Sequence, residues 1–409
     1  MRPTVGPTLG ENVARIRRQR QLTQEQLAAA SGLSMDTIGK LERGARTTAR
    51  MNTIGALARA LKVSTSSLLG DGSAAVTRRE PGYASLGLLD LRRALTPVAG
   101  ADGRLLDEQA DSGPPNLERA RLSVEAANEA YHRNDFGTTA AALPGLLAEV
   151  RTLVADTDGD DQLAAHVVAS QAYHLAGRLL IQLRVHDLAY VAVTAARQQA
   201  AQSGDVPAVA AAAWPMCWLL LRQGRLAEAE GLATSTADEV EPRHISRAST
   251  AEVEAWSWML LEAAAAMSRD GRDDDATRAL DMASVAATRI DNIDGQGVGA
   301  AKVAMARVEA AAIAGDPRRV LQLSERITVG RPAYASCWQR HRLDVAWAHA
   351  ELAQWPAATG VLVDLGDRAP TWLRHQRYAQ DIVGRISTGR KRAHGDKLAQ
   401  LATLVGMKS

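Results

Sequence analysis

Two cysteines in 409 residues, Cys217 and Cys337, leave no disulfide framework to stabilise this chain. They lie far apart in apolar, alanine-rich stretches and read as buried reduced thiols. Phenylalanine occurs once, and aromatic residues make up 4% of the chain. A core poor in aromatics but rich in Ala and Leu is expected to be all-α, because small side chains let helices pack closely. No run of about 18 apolar residues occurs, so no membrane span is expected. The opening stretch MRPTVGPTLGENVARIRRQR has no apolar centre, so no secretory signal is expected and the protein reads as cytoplasmic. Catalytic grammar is missing too: there is no Walker loop, no G-x-S-x-G, no HExxH and no Cys/His cluster at metal spacing. GQGVGA at 295–300 has no strand before it and does not read as a phosphate loop. RDDDA at 272–276 reads as an acidic helix start that suits the helix dipole. No enzymatic activity, catalytic residue, cofactor or metal site is expected.

What is present is unevenly distributed. Residues 1–80 hold 13 Lys/Arg against 6 Asp/Glu, a net of +7, whereas the remainder holds 35 against 40, a net of −5. A basic front on a mildly acidic body points to an anionic partner for the front alone.

The front divides into five short helices. Thr23 and Gln26 form a capping box at the start of the second. In SGLS, Gly32 ends that helix in the left-handed conformation and Ser34 caps the third, MDTIGKLER, which buries Ile38 and Leu41 and stops at Gly44. The fourth, MNTIGALARAL, buries Ile54, Leu57 and Leu61, and STSSLLG supplies the fifth. Two helices across a tight glycine turn, with basic residues around the second, make a helix-turn-helix.

On Gln24, Leu27, Ala28, Gly32, Ser34, Ile38, Glu42 and Gly44, this segment resembles the Cro/C1-type, or xenobiotic-response-element, helix-turn-helix regulators. The resemblance implies that the third helix enters the major groove of double-stranded operator DNA. Gln24, Met35, Asp36 and Lys40 would then face base edges, and Thr37, Arg43 and Arg46 would meet phosphates. It implies also that Arg17 and Glu42 form a structural ion pair.

Residues 71–115, rich in Gly, Pro, Ser and Asp, read as a linker with one docking helix around Leu86, Leu89 and Leu95; the front domain is residues 1–70. From 116 to 409 the chain reads as a succession of helix pairs. Breakpoints recur at Gly224, Gly271 and Gly315, with degenerate copies near His186 and Trp355. A pair every 40 or so residues marks an α-solenoid of about five repeats. This part is similar to tetratricopeptide-repeat-like domains that follow such front ends in actinobacterial transcription regulators. The first helices of the pairs carry unusual polar and aromatic residues. His174, Arg178, Trp214, Trp218, Arg222, Trp256, Arg307 and His341 are the candidates for a groove that binds a peptide or small-molecule signal.

The expectation is an all-α regulator: a five-helix helix-turn-helix domain followed by a tetratricopeptide-like solenoid, acting as a homodimer on DNA. The alternative is a protein-interaction scaffold that the front domain tethers to DNA.

Overall fold

The computed structural model describes residues 8–44, 49, 51–61, 63, 68, 88–98, 100–101, 116–294, 298–327, 335–389 and 396–407. The expected fifth front helix, apart from Leu68, lies outside them, as do Arg46 and most of the linker. Among the described residues there are 20 helices and no strand, so the chain is all-α.

In the front domain, α1 (Leu9–Gln19), α2 (Gln24–Ser31), α3 (Met35–Glu42) and α4 (Met51–Leu61) enclose a small core. Val13, Leu27, Ile38, Leu41 and Leu57 are fully buried in it. Both expected caps form. Thr23 Oγ accepts from the Gln26 N–H while Gln26 returns its side-chain oxygen to the Thr23 N–H, and Ser34 accepts from the Thr37 N–H at 3.2 Å. Gly32 turns the chain at φ +69°. Two ties had no clear sequence signal. A Cβ on Gly10 would stand 1.9 Å from the Leu41 carbonyl oxygen, so only glycine lets α1 approach α3 this closely. Buried Asn12 donates to the Leu68 carbonyl at 3.2 Å, fastening α1 to the end of the domain.

The linker helix α5 (Leu88–Leu95) packs on the body. Leu91 and Leu95 join the body core, Arg151 donates to the Ala94 carbonyl at 2.7 Å, and Arg92 reaches Asp187 at 3.3 Å.

Among the described residues the body forms six helix pairs, where the sequence suggested about five. They are α6 (Leu117–His132) with α7 (Phe136–Asp156), α8 (Gly159–Gln182) with α9 (His186–Ser203), and α10 (Val206–Gln223) with α11 (Leu226–Val240). Next come α12 (Thr250–Arg269) with α13 (Asp273–Asp294), α14 (Val298–Ile313) with α15 (Pro317–Ser324), and α16 (Ala335–Glu351) with α17 (Trp355–Arg368). One turn joins the two helices of every pair. Its left-handed position is Asn134, Arg184, Gly224, Gly271, Gly315 and Ala353 in succession, with φ between +56° and +79°. The next residue's N–H always donates to the carbonyl five residues back, at 2.8–3.0 Å. This helix-ending hydrogen bond explains the periodic glycines. It also confirms the degenerate copies: near His186 the turn falls on Arg184, and near Trp355 on Ala353, where a side chain tolerates the strain. Close packing within a pair relies on small residues, and a Cβ on Gly177 of α8 would stand 2.4 Å from Val193 Cγ1 of α9.

Helices α18 (Pro370–Arg374), α19 (Arg377–Gly389) and α20 (Asp396–Leu404) finish the coil. His375, just past α18, comes 6.2 Å, ring to ring, from Phe136 in the first pair. The two ends of the body touch there, and the expected groove is a partly open central cavity. No described helix is long and apolar enough to cross a membrane. In the GQGVGA stretch, the N–H groups of Gly299 and Ala300 donate to the Asp291 carboxylate at 2.8 and 3.0 Å, so that helix start already has its acceptor.

Candidate nucleic-acid interface and central cavity

Burial of Ile38 and Leu41 turns the opposite side of α3 outward. Met35 is 51% exposed there, and Asp36, Lys40 and Arg43 follow at spacings of four and three residues, along one face. Lys40 Nζ and Asp36 Oδ2 pair at 2.7 Å. Such an exposed pair is worth about 0.3–0.5 kcal/mol, little enough to yield to a base contact of about 1–3 kcal/mol. The Thr37 hydroxyl is 2.8 Å from Ser34 Oγ. The Arg43 guanidinium lies back over Gly39, where a Cβ would come 3.2 Å from Nη1. The missing side chain thus makes room for an arginine of the same helix.

Gln24 is placed differently from its expected base-facing role. Its amide donates to Glu42 Oε2 at 2.8 Å and is drawn into a half-buried ion pair. There Arg17 grips Glu42 with two hydrogen bonds, 2.7 and 2.8 Å, and donates a third to the Leu22 carbonyl at 2.8 Å. Burial alone would raise the Glu42 carboxyl, but the hydrogen bonds from Arg17 and Gln24 outweigh it and hold the group below its ordinary range. The same bond raises the Arg17 guanidinium. The pair joins α1 to α3 and fixes the tilt of the exposed face.

Residues 13–68 match the helix-turn-helix family. The front of this chain is a helix-turn-helix domain. The uncharacterized HTH-type transcriptional regulator RghRB of Bacillus subtilis (strain 168) is 48% identical over 54 residues, 13% of this chain and 39% of that protein. The chain therefore covers well under half of that relative's own length. No solved structure matches the chain.

The body's cavity, about 310 Å3, is lined by the first helix of all six pairs. The family match at residues 13–68 does not reach the body and leaves its likeness to tetratricopeptide repeats untested. Trp214, Trp218 and Arg222, on one face of α10, line the cavity, and so does His341. His174 and Arg178 flank it. His174 packs 5.6 Å from Trp214, and the Arg178 guanidinium carbon sits 4.4 Å over Tyr131 and 5.3 Å from Trp214. Burial, reinforced by Arg178, pulls His174 down to about 3 and keeps it neutral.

Two expected groove residues point elsewhere. Trp256 is buried in the seam with Val240 and Val253, because it stands two residues from cavity-lining Trp258, about 200° around α12. Arg307 likewise alternates with cavity-lining Met305 and Glu309. It turns to α13, pairing with Asp281 at 2.7 Å and Ser284 at 3.1 Å.

The cavity's charged residues were largely missed. Arg269 meets Glu309 at 2.6 Å, and Arg340 reaches Glu309 and Asp344, each at 3.7 Å. Burial opposes ionisation of Glu309, but Arg269 and Arg340 hold it ionised. Burial pushes Asp344 up despite Arg340, and burial, then Glu309, pushes Glu262 up to about 8. One signal was available for two of them: Asp344 stands three residues, about one turn, after His341, and Glu262 four residues after Trp258.

The end of α12 touches both the cavity and the front domain. Arg269 lines the cavity, its carbonyl lies 3.7 Å from where a Cβ of Gly55 in α4 would stand, and Asp270 pairs with Arg59 of α4. The Arg59 guanidinium also lies 3.4 Å from the Asp270 carbonyl oxygen.

Proposed function

We propose that this protein is a sequence-specific DNA-binding transcription regulator whose helical body senses a signal in its central cavity. The observation that carries the reading is the outward row Met35, Asp36, Lys40 and Arg43 on a helix held rigid by caps, a buried inner face and the Arg17–Glu42 pair. The helix-turn-helix match and the relative's printed description support it. Lys40 donates to guanine, Asp36 accepts from cytosine, and Met35 packs on a thymine methyl. Thr37, Arg43 and Arg46 hold phosphates. Gln24, with one amide hydrogen committed to Glu42, supports the helix and keeps its second amide hydrogen and its carbonyl oxygen for the DNA.

The protein acts in the cytoplasm as a homodimer on two half-sites one helical turn apart, about 34–36 Å. The body is a tetratricopeptide-like solenoid whose last helices touch its first pair. Arg269 and Asp270 connect its cavity to α4, so a ligand that engages Arg269 differently in two states shifts the helix-turn-helix domain.

Selection of bound sequences from a random duplex pool with the full-length protein tests the reading. An enriched inverted repeat, with affinity falling steeply with salt, supports a dimeric operator binder. No enrichment, either with the full chain or after Asp270→Asn releases α4 from the body, would overturn it.

A further inference from the structure

A buried guanidinium is costly unless carboxylates or several acceptors meet it. Arg269 and Arg340 have Glu309. Arg222 also lines the cavity, yet among the described residues no carboxylate comes within ion-pair reach of it; its guanidinium carbon stands 5.5 Å from the Trp218 ring. Burial, with Arg340, Arg184 and Arg269 nearby, pulls Arg222 down to about 10, so it remains a cation at neutral pH. Glu262, protonated there, adds no compensating charge. At the edge, Arg178 has one hydrogen bond to Asn128 at 3.2 Å and two ring faces, and its buried Nε has no partner.

Beside these cations lies an aromatic wall. Trp214 and Trp218 stack 14° from parallel with centroids 6.0 Å apart, and Trp258 stands 5.3 Å from Trp214. On α16 several polar atoms lack a hydrogen bond, although Arg340 stands 3.7 Å from Asp344. Asp344 is 1% exposed, and neither carboxylate oxygen has a hydrogen bond. His341 is 2% exposed; its Nε2 is 3.2 Å from Ser324 Oγ, while Nδ1 has no partner. Native proteins seldom leave such atoms unsatisfied unless water or a ligand meets them.

We propose that the cavity binds a small aromatic anion, with its ring against Trp214, Trp218 and Trp258, a carboxylate-like group on Arg222, and a hydroxyl or N–H donating to Asp344. A planar fork such as guanidinium takes a carboxylate with two hydrogen bonds. The volume, about 310 Å3, lies at the small end of ligand sites, which run about 300–1,000 Å3, and suits a small molecule rather than an extended peptide. The proposal deepens the reading of the body as a sensor and rests on it.

Calorimetric titration of the full-length protein with 6-hydroxy-2-naphthoate, 2-naphthoate and 2-naphthamide tests it, with thermal melts read in parallel. The hydroxy acid binds tightest and raises the melting temperature, and the uncharged amide binds at least tenfold more weakly than 2-naphthoate. Arg222→Gln removes the preference of acid over amide, Arg222→Lys restores part of it, and Asp344→Asn removes the advantage of the hydroxyl. Matching circular dichroism spectra establish that the variants are folded. Equal affinity for acid and amide, unchanged binding by Arg222→Gln, or no heat from either acid up to about 1 mM overturns the proposal. So does stabilisation by a pool of short peptides where neither acid stabilises. Operator selection is run without these compounds. An operator with no aromatic-acid binding refutes the ligand class alone, and acid binding by a chain that selects no DNA refutes the regulatory reading alone.

Discussion

Glu42→Ala is the sharpest test of what holds the DNA-facing helix in place. Glu42 accepts two hydrogen bonds from Arg17 and one from Gln24, and its side chain is only 5% exposed, that of Arg17 12%. Removing one partner of a buried pair costs about 3–5 kcal/mol, because the other charge is left uncompensated. Arg17 keeps its bond to the Leu22 carbonyl and some contact with water, which places the cost near 3 kcal/mol. A domain of some 60 residues has about 3–9 kcal/mol in total, so most of its margin goes. A melt of the whole two-domain chain would blur this loss. Native-state hydrogen exchange of α1 and α3 amides reads it directly, as a fall in protection of about 150-fold. The double variant Arg17→Met/Glu42→Met, which leaves no lone charge, recovers much of it. The pH sign follows from the lowered Glu42 value. The pair stabilises fully above the ordinary carboxylate range, near 4.3, and its contribution is lost as pH falls through the lowered value. The variant and the parent therefore converge in acid. Less than a fivefold change at neutral pH, or a double variant worse than the single, refutes the reasoning.

Four further outcomes are expected. Lys40→Ala costs about 1–3 kcal/mol on the selected operator and relaxes one base position, whereas Arg43→Ala weakens all sequences alike and lowers the salt slope by about one; equal losses on operator and random DNA for both would remove Lys40 as a base reader. Ala353→Gly and Arg184→Gly each stabilise the body by about 0.5–1 kcal/mol in urea unfolding, because both positions are left-handed; no gain at either would mean the turn strain is absorbed elsewhere. Gly177→Ala destabilises by about 1–3 kcal/mol, and adding Val193→Ala restores part of it, since the clash is with Val193 Cγ1. Glu262→Gln makes the chain more stable than the parent above pH 8 and changes little near pH 4: a carboxyl raised to about 8 binds its proton more tightly when folded, so the parent loses stability as pH climbs from about 4.3 to 8, and a variant that tracks the parent's pH curve would refute the burial of that group.

Much of this protein follows from local rules. Thr23 with Gln26, Gly32 and Ser34 are capping and turn chemistry decided within four residues, so the helix-turn-helix and its outward face were legible before any fold. The same holds for the repeat. A left-handed turn residue after every first helix writes a period into the chain, and the copies at Arg184 and Ala353 could be placed because flanking patterns persist where the glycine does not. What sequence reading could not supply is anything set by the coil's path through space. A groove was expected, and the contact of His375 with Phe136 brings the first pair and the last helices together around a partly open cavity. Which of two neighbours on a helix faces that cavity is a matter of rotation, so Trp258 enters and Trp256 does not. The cluster of Arg222, Arg269, Glu309, Arg340 and Asp344 is assembled from four helices up to 122 residues apart. The contact of α12 with α4 joins segments still more distant. Local spacing fixes which face of an element is apolar; only packing brings the opposite faces of distant elements together, and the shifts in ionisation arise from that proximity and burial.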